Sequence, residues 1–169
     1  KFNRQGYTCS MHMRTTLYNY NHYETFETEK QFLHLKLDSV LTPDQQQELN
    51  EKKILLRADL DVPLTEGKIQ DDTRLKVWFP TLELLIKNNC TVFIAGHMGR
   101  PSGIDSNFSL KPIAEYIKNE LSLPIIEEIE INNFKSFKFT DKIFLLENLR
   151  FYKEEEENDN NFAEKLSKL

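Results

Sequence analysis

A chain of 169 residues is one domain by the usual size prior, long enough to bury a real core. Hydrophobic residues are 39% and charged residues 29%, which excludes a disordered tail, and no apolar run approaches the roughly 20 residues of a membrane helix. A net charge of −5 argues against nucleic acid as the main partner, and Cys9 and Cys90 lie too far apart for a metal or redox spacing.

Residues 1–40 read as an irregular extension without a steady helical or strand period. Its start carries Lys1, Arg4 and Arg14, and the first carboxylate is Glu24. Such an acid-poor opening fits a processed organellar protein and equally a flexible tail. Tyr7, Tyr18, Tyr20 and Tyr23 offer contact area to another protein surface, or lie on a loose arm. From Leu41 a short helix is expected, with Thr42 as its cap and Pro43 at its first position.

An alternation of strand and helix follows. Lys53–Arg57 is a short apolar strand closed by Asp59 and Pro63. Asp71 or Asp72 is expected to cap a helix whose apolar stripe is Trp78, Leu82, Leu85 and Ile86, with Pro80 kinking it or starting its second part. Trp78 reads as core rather than ligand platform. Thr91–Gly96 is a second buried strand, and Ser109 is expected to cap a helix buried along Leu110, Ile113, Ile117 and Leu121. Leu123–Ile126 and Ile143–Leu146 read as two further strands. Glu154–Glu157 reads as a solvated face or a helix approach, and a last helix runs from about Asn160 to Leu169. Apolar strands separated by helices predict an α/β fold, a partial doubly wound parallel sheet in three Rossmann-like layers.

Ligands of such sheets collect in the loops beyond the carboxyl ends of the strands. Asp59 and Asp61 follow the first strand, His97 and Arg100 the second and Arg150 the fourth, while Arg74 sits near a helix start. The arginines and the histidine are therefore expected to converge on one anion, since a guanidinium fork grips phosphate or carboxylate oxygens in pairs. Gly96 and Gly99 are expected to let the backbone approach that ligand closely. GHMGRPSG lacks the GKS or GKT ending of a P-loop, and no nucleotide site is read anywhere in the chain.

The phrases RADLDVP (57–63), DDTRLKVWFPT (71–81), GHMGRPSG (96–103), SLKPIAEYI (109–117) and LLENLRFYKEEE (145–156) together resemble the amino-terminal half of phosphoglycerate kinase. The resemblance covers roughly residues 53–169 in family order, so that 41–169 reads as a truncated phosphoglycerate kinase-like domain. It implies that Asp59 and Asp61 occupy the places of an Asp and an Asn that hydrogen-bond phosphoglycerate. Asp61 is a departure, because an amide that donates has become a carboxylate that cannot. It also puts Arg74 at the arginine that stabilises the transferring phosphoryl group, and His97, Arg100 and Arg150 at substrate-gripping positions.

In the family a further substrate arginine, the last strands of this domain, the catalytic lysine and the domain binding Mg-ATP or Mg-ADP all lie beyond the stretch present here. The resemblance therefore implies no cofactor held by this chain. It also implies a sheet with an uncovered edge and bare apolar faces, which invites protein subunits to pair with that edge and the N-terminal arm. The expected role is a non-catalytic accessory subunit of a larger assembly. The alternatives are a fragment of a glycolytic enzyme and a sensor of 3-phosphoglycerate. A mitochondrial compartment fits the first role, a cytoplasmic one the ordinary glycolytic enzyme.

Overall fold

A computed structural model describes residues 49–124 and 126–169. The extension at 1–40 and the helix expected from Thr42 lie outside the described residues, except that Leu49 is helical and wholly buried. Strand β1 (Lys53–Arg57) is followed by a hairpin of two short strands, β2 (Leu64–Thr65) and β3 (Lys68–Ile69). Next come helix α1 (Thr73–Lys87), strand β4 (Thr91–Ala95) and helix α2 (Lys111–Glu120). Strands β5 (Glu127–Ile131), β6 (Phe134–Lys138) and β7 (Ile143–Leu146) precede helices α3 (Lys153–Glu156) and α4 (Asn160–Ser167).

The main sheet has the order β1-β4-β7-β6-β5. β1, β4 and β7 are parallel, whereas β6 pairs antiparallel with β7 and β5 antiparallel with β6. The expected parallel sheet is thus present as β1, β4 and β7, and the antiparallel β5–β6 hairpin extends it. The strand expected at Leu123–Ile126 is displaced to Glu127–Ile131, because Pro124 cannot donate to a ladder. Asn132 and Asn133, with φ of 50° and 68°, form the two-residue turn joining β5 to β6. Asparagine tolerates this left-handed geometry, which matches the twist of a tight hairpin.

Alternation along the parallel strands divides the core. Ile54, Leu56, Val92, Ile94, Ile143 and Leu145 face one side, under the buried residues of α1 and α2. Leu55, Ala95 and Leu146 face the other, where Phe162 and Leu166 of α4 cover them. Phe93 and Phe144 stack on that second face with centroids 5.0 Å apart. Helices on both faces of a largely parallel core are the three-layer arrangement expected of α/β folds.

Among the described residues β6 pairs along β7, so the edges of the sheet are β1 and β5. β5 carries Glu127, Glu128 and Glu130, charges that discourage pairing with another chain. The apolar faces expected to lie bare carry α1 and α2 on one side and α4 on the other.

Local signals placed the helices well. Leu75, Trp78, Leu82 and Leu85 form the buried stripe of α1, and Trp78 is core, only 2% exposed. Asp72 is its N-cap residue but makes no side-chain capping bond; Asp71 Oδ1 accepts from the Thr73 N–H at 2.8 Å and hydroxyl at 2.6 Å. Asp72 instead pairs with Lys76 at 2.9 Å and accepts from the Tyr116 hydroxyl at 3.2 Å. The helix runs through Pro80, which is exposed. Ser109 is not the cap residue of α2, since Leu110 takes that place; its Oγ accepts from the Lys111 N–H at 3.2 Å.

Candidate functional site

Register brings the carboxyl ends of the parallel strands level. Arg57 lies opposite Ala95, and Ile94 opposite Leu145. The segments that follow, 58–63, 96–110 and 147–152, therefore emerge side by side at one end of the sheet. Backbone bonds hold them there: Ala58 N–H to Ala95 O at 2.8 Å and Leu149 N–H to Gly96 O at 3.1 Å.

Arg57, His97 and Arg150 meet at this end around one carboxylate. The Arg57 Nη2 donates to Glu155 Oε1 at 2.9 Å and lies 3.5 Å from His97 Nδ1. Glu155 Oε2 lies 3.0 Å from Arg150 Nε, and Arg150 Nη1 donates to Glu156 Oε1 at 2.5 Å. The Glu155 side chain is only 7% exposed, so this member of the acidic run is not the solvated residue expected. Half-burial pushes the His97 imidazole below its ordinary 6.5; Arg57 and Arg150 push the same way, while Glu155 and Asp61 oppose them. The ring is therefore uncharged at neutral pH.

A second group lies beside it. Arg74 Nη1 donates to the Asp61 carbonyl at 2.8 Å and lies 3.5 Å from Asp59 Oδ1 and 4.0 Å from Asp61 Oδ2. These side chains are half exposed, so the ion pairs are weak and exchangeable. Asp61 Oδ1 accepts the Gly99 N–H at 2.9 Å, which ties the loop after β1 to the loop after β4. Arg100 follows directly, exposed, with no hydrogen bond or ion pair to another described residue.

What holds these loops was not foreseen from the sequence. Asn148 is wholly buried, and its amide is fully engaged. Oδ1 accepts from the Met98 and Arg150 N–H groups at 3.2 and 3.0 Å; Nδ2 donates to the Met98 and Phe108 carbonyls at 2.8 and 2.9 Å. Glu147 accepts the Leu110 N–H at 2.7 Å and the Ser109 hydroxyl at 2.8 Å, so it serves the start of α2. Arg57 was also missed, although its place at the end of a buried strand was the available signal. The two glycines serve packing against the protein itself. A Cβ on Gly96 would come within 2.7 Å of the Ala58 carbonyl oxygen and Leu60, and Gly99 sits at φ +61° against the Phe108 ring.

Among the described residues no group of three or more His, Cys, Asp or Glu is arranged to hold a metal ion. No helix among them is long and apolar enough to cross a membrane. The strand-end loops and the start of α1 thus bring Arg57, Arg74 and Arg150 together with Asp59, Asp61, Glu155 and Glu156 at one end of the sheet.

The family model described as phosphoglycerate kinase matches residues 44–169. The chain is 41% identical over 130 residues to the cytosolic phosphoglycerate kinase of Triticum aestivum, covering 72% of this chain and 32% of that protein. It is 43% identical over 123 residues to the phosphoglycerate kinase of Borreliella afzelii, covering 69% and 31%. The solved phosphoglycerate kinase of Coxiella burnetii superposes with a TM-score of 0.61 at 33% identity, over 72% of this chain and 31% of that one. The chain thus spans about a third of the length of the relatives it matches. With five motifs in order, a matching sheet and this breadth of similarity, the chain belongs to the phosphoglycerate kinase family.

Proposed function

We propose that the loops beyond β1, β4 and β7 bind 3-phosphoglycerate, so that this chain carries the acceptor-binding portion of a phosphoglycerate kinase. The observation supporting it is the meeting of Arg57, His97 and Arg150 at one end of the sheet, with Arg74 at the start of α1 and Arg100 on the loop after β4. The ligand has a phosphate at one end and a carboxylate at the other. Guanidinium forks suit both groups, and a neutral His97 supplies a hydrogen bond without adding charge. Arg74 is the group assigned to the transferring phosphoryl oxygens, and its weak pairs with Asp59 and Asp61 let it exchange partners. Phosphoryl transfer is mostly positioning and charge neutralisation, and the donor side of it calls for a nucleotide and Mg²⁺ held elsewhere.

Calorimetric titration of the chain with 3-phosphoglycerate checks this reading. Binding at or below millimolar concentration is expected, and Arg100→Ala should weaken it at least about tenfold, the worth of one charge-assisted hydrogen-bonded pair. Absence of heat at millimolar ligand would remove the proposal.

One observation favours a second reading, a non-catalytic accessory subunit. Asp61 places a carboxylate where the family resemblance implies an amide, and Asp59 and Asp61 both lean on Arg74. Added negative charge beside a multiply charged anion opposes binding. Under this reading the isolated polypeptide forms no ATP from 1,3-bisphosphoglycerate, ADP and Mg²⁺. Detecting ATP above a no-protein control would overturn it.

A further inference from the structure

We propose that Glu155 is the positioning residue of this anion site, its carboxylate setting Arg57 and Arg150 as a matched pair for a ligand with two anionic ends. The inference rests on the reading that the strand-end loops bind 3-phosphoglycerate.

Three separate elements supply the parts. Arg57 ends β1, Arg150 lies in the 3₁₀ turn Leu149–Phe151 after β7, and Glu155 lies in α3. The ladder fixes the backbone spacing of β1 and β7 across β4 but leaves the two long arginine side chains to be placed by their partners. Glu155 is the partner they share. Its two oxygens divide between the arginines, Oε1 to Arg57 at 2.9 Å and Oε2 to Arg150 at 3.0 Å. The Arg57 contact is a hydrogen bond, whereas the Arg150 Nε contact is an ion pair without hydrogen-bond geometry, so the carboxylate holds the two guanidiniums together by charge and constrains their separation.

Burial makes the constraint firm. The Glu155 side chain is 7% exposed, against 15% for Arg150 and 22% for Arg57. In such surroundings two guanidiniums without their shared anion repel, and each long side chain regains rotamer freedom. Glu156, in contrast, is half exposed and reaches only Arg150, so it belongs to the rim. The carrier of Glu155 is itself anchored, with its N–H bonded to Tyr152 O at 3.1 Å and the Asp159 N–H to Glu154 O at 3.0 Å. A guanidinium has five N–H donors, so it can hold Glu155 and a ligand oxygen together.

Glu155 also carries negative charge, and removing charge alone would attract any anion more strongly. The two effects separate by ligand. Charge acts equally on inorganic phosphate and on the phosphate end of 3-phosphoglycerate. Positioning matters only to the ligand that must satisfy two groups at once.

The test uses the full chain carrying Glu155→Gln, which keeps the shape, removes the charge and accepts through only one oxygen. Calorimetry measures Kd for 3-phosphoglycerate and for inorganic phosphate in the variant and in the unsubstituted chain. The preference for 3-phosphoglycerate over phosphate should fall about tenfold, the scale seen when a group orienting a binding residue is lost. The His97 ring, followed by NMR titration, should titrate lower still, because Glu155 opposes the two arginines there. If Glu155→Gln fails to fold, Glu155→Asp is used; one methylene shorter, it cannot reach both arginines and should lose the same preference. An unchanged preference, with both ligands tightened equally, overturns the positioning role and leaves the binding reading standing. If the unsubstituted chain binds neither ligand, the binding reading fails and this inference falls with it.

Discussion

Asn148 commits every hydrogen-bonding position of its amide to backbone groups on two loops and to the Arg150 N–H. Truncation to alanine would strand several buried backbone groups, each costing about 1–3 kcal/mol when unmatched. Asn148→Ala should therefore lower stability by about 3 kcal/mol, read as a shift of the urea midpoint at constant slope. His97 gives a pH dependence of defined sign. Folding lowers its pKa below 6.5, so the unfolded chain binds a proton first as pH falls. Its contribution is fully present above about pH 6.5 and is lost as pH drops toward the folded pKa. The loss of stability on moving from neutral to mildly acidic pH should be smaller in His97→Gln than in the unsubstituted chain. Equal losses in urea titrations would show that His97 is not the group responsible. Single residues with strong chemical character were legible in sequence: Arg74, His97, Arg100 and Arg150 all fall in strand-end loops or beside them. Glu155 was not, since one acid in a run of four shows no sign of which member turns inward.

At the scale of elements, β1, β4 and β7 were evident because each is apolar on both faces, as a central parallel strand must be. The β5–β6 hairpin was not. Glu127, Glu128 and Glu130 disguised β5 as a polar segment, while Leu123–Ile126 drew attention to the wrong residues. The available signal was the Asn132-Asn133 pair, two residues that tolerate a left-handed turn. Its left-handed backbone gives a test. A β-branched residue at φ 68° costs about 1–2 kcal/mol relative to one that tolerates the region. Asn133→Val should therefore destabilise by that amount in chemical denaturation, although the side chain is exposed. No loss would mean that the turn adopts another geometry.

At the scale of the whole molecule, the α/β class and the family follow from sequence, because apolar runs and loop motifs are properties of consecutive residues. The clustering of the strand-end loops also follows, since chain order and strand direction put them at one end of the sheet. Which groups touch was decided only by tertiary structure. Arg57, Glu155 and Arg150 come from separate elements, and only β-register and helix placement set both arginines within 3.0 Å of one carboxylate. The hairpin completing the sheet beside β7, and the opposite faces taken by α1 with α2 and by α4, were likewise settled by packing. The physical reason is one of range. Periodicity and capping act over a turn of helix or a step of strand, whereas contact between remote side chains depends on how buried faces fit together.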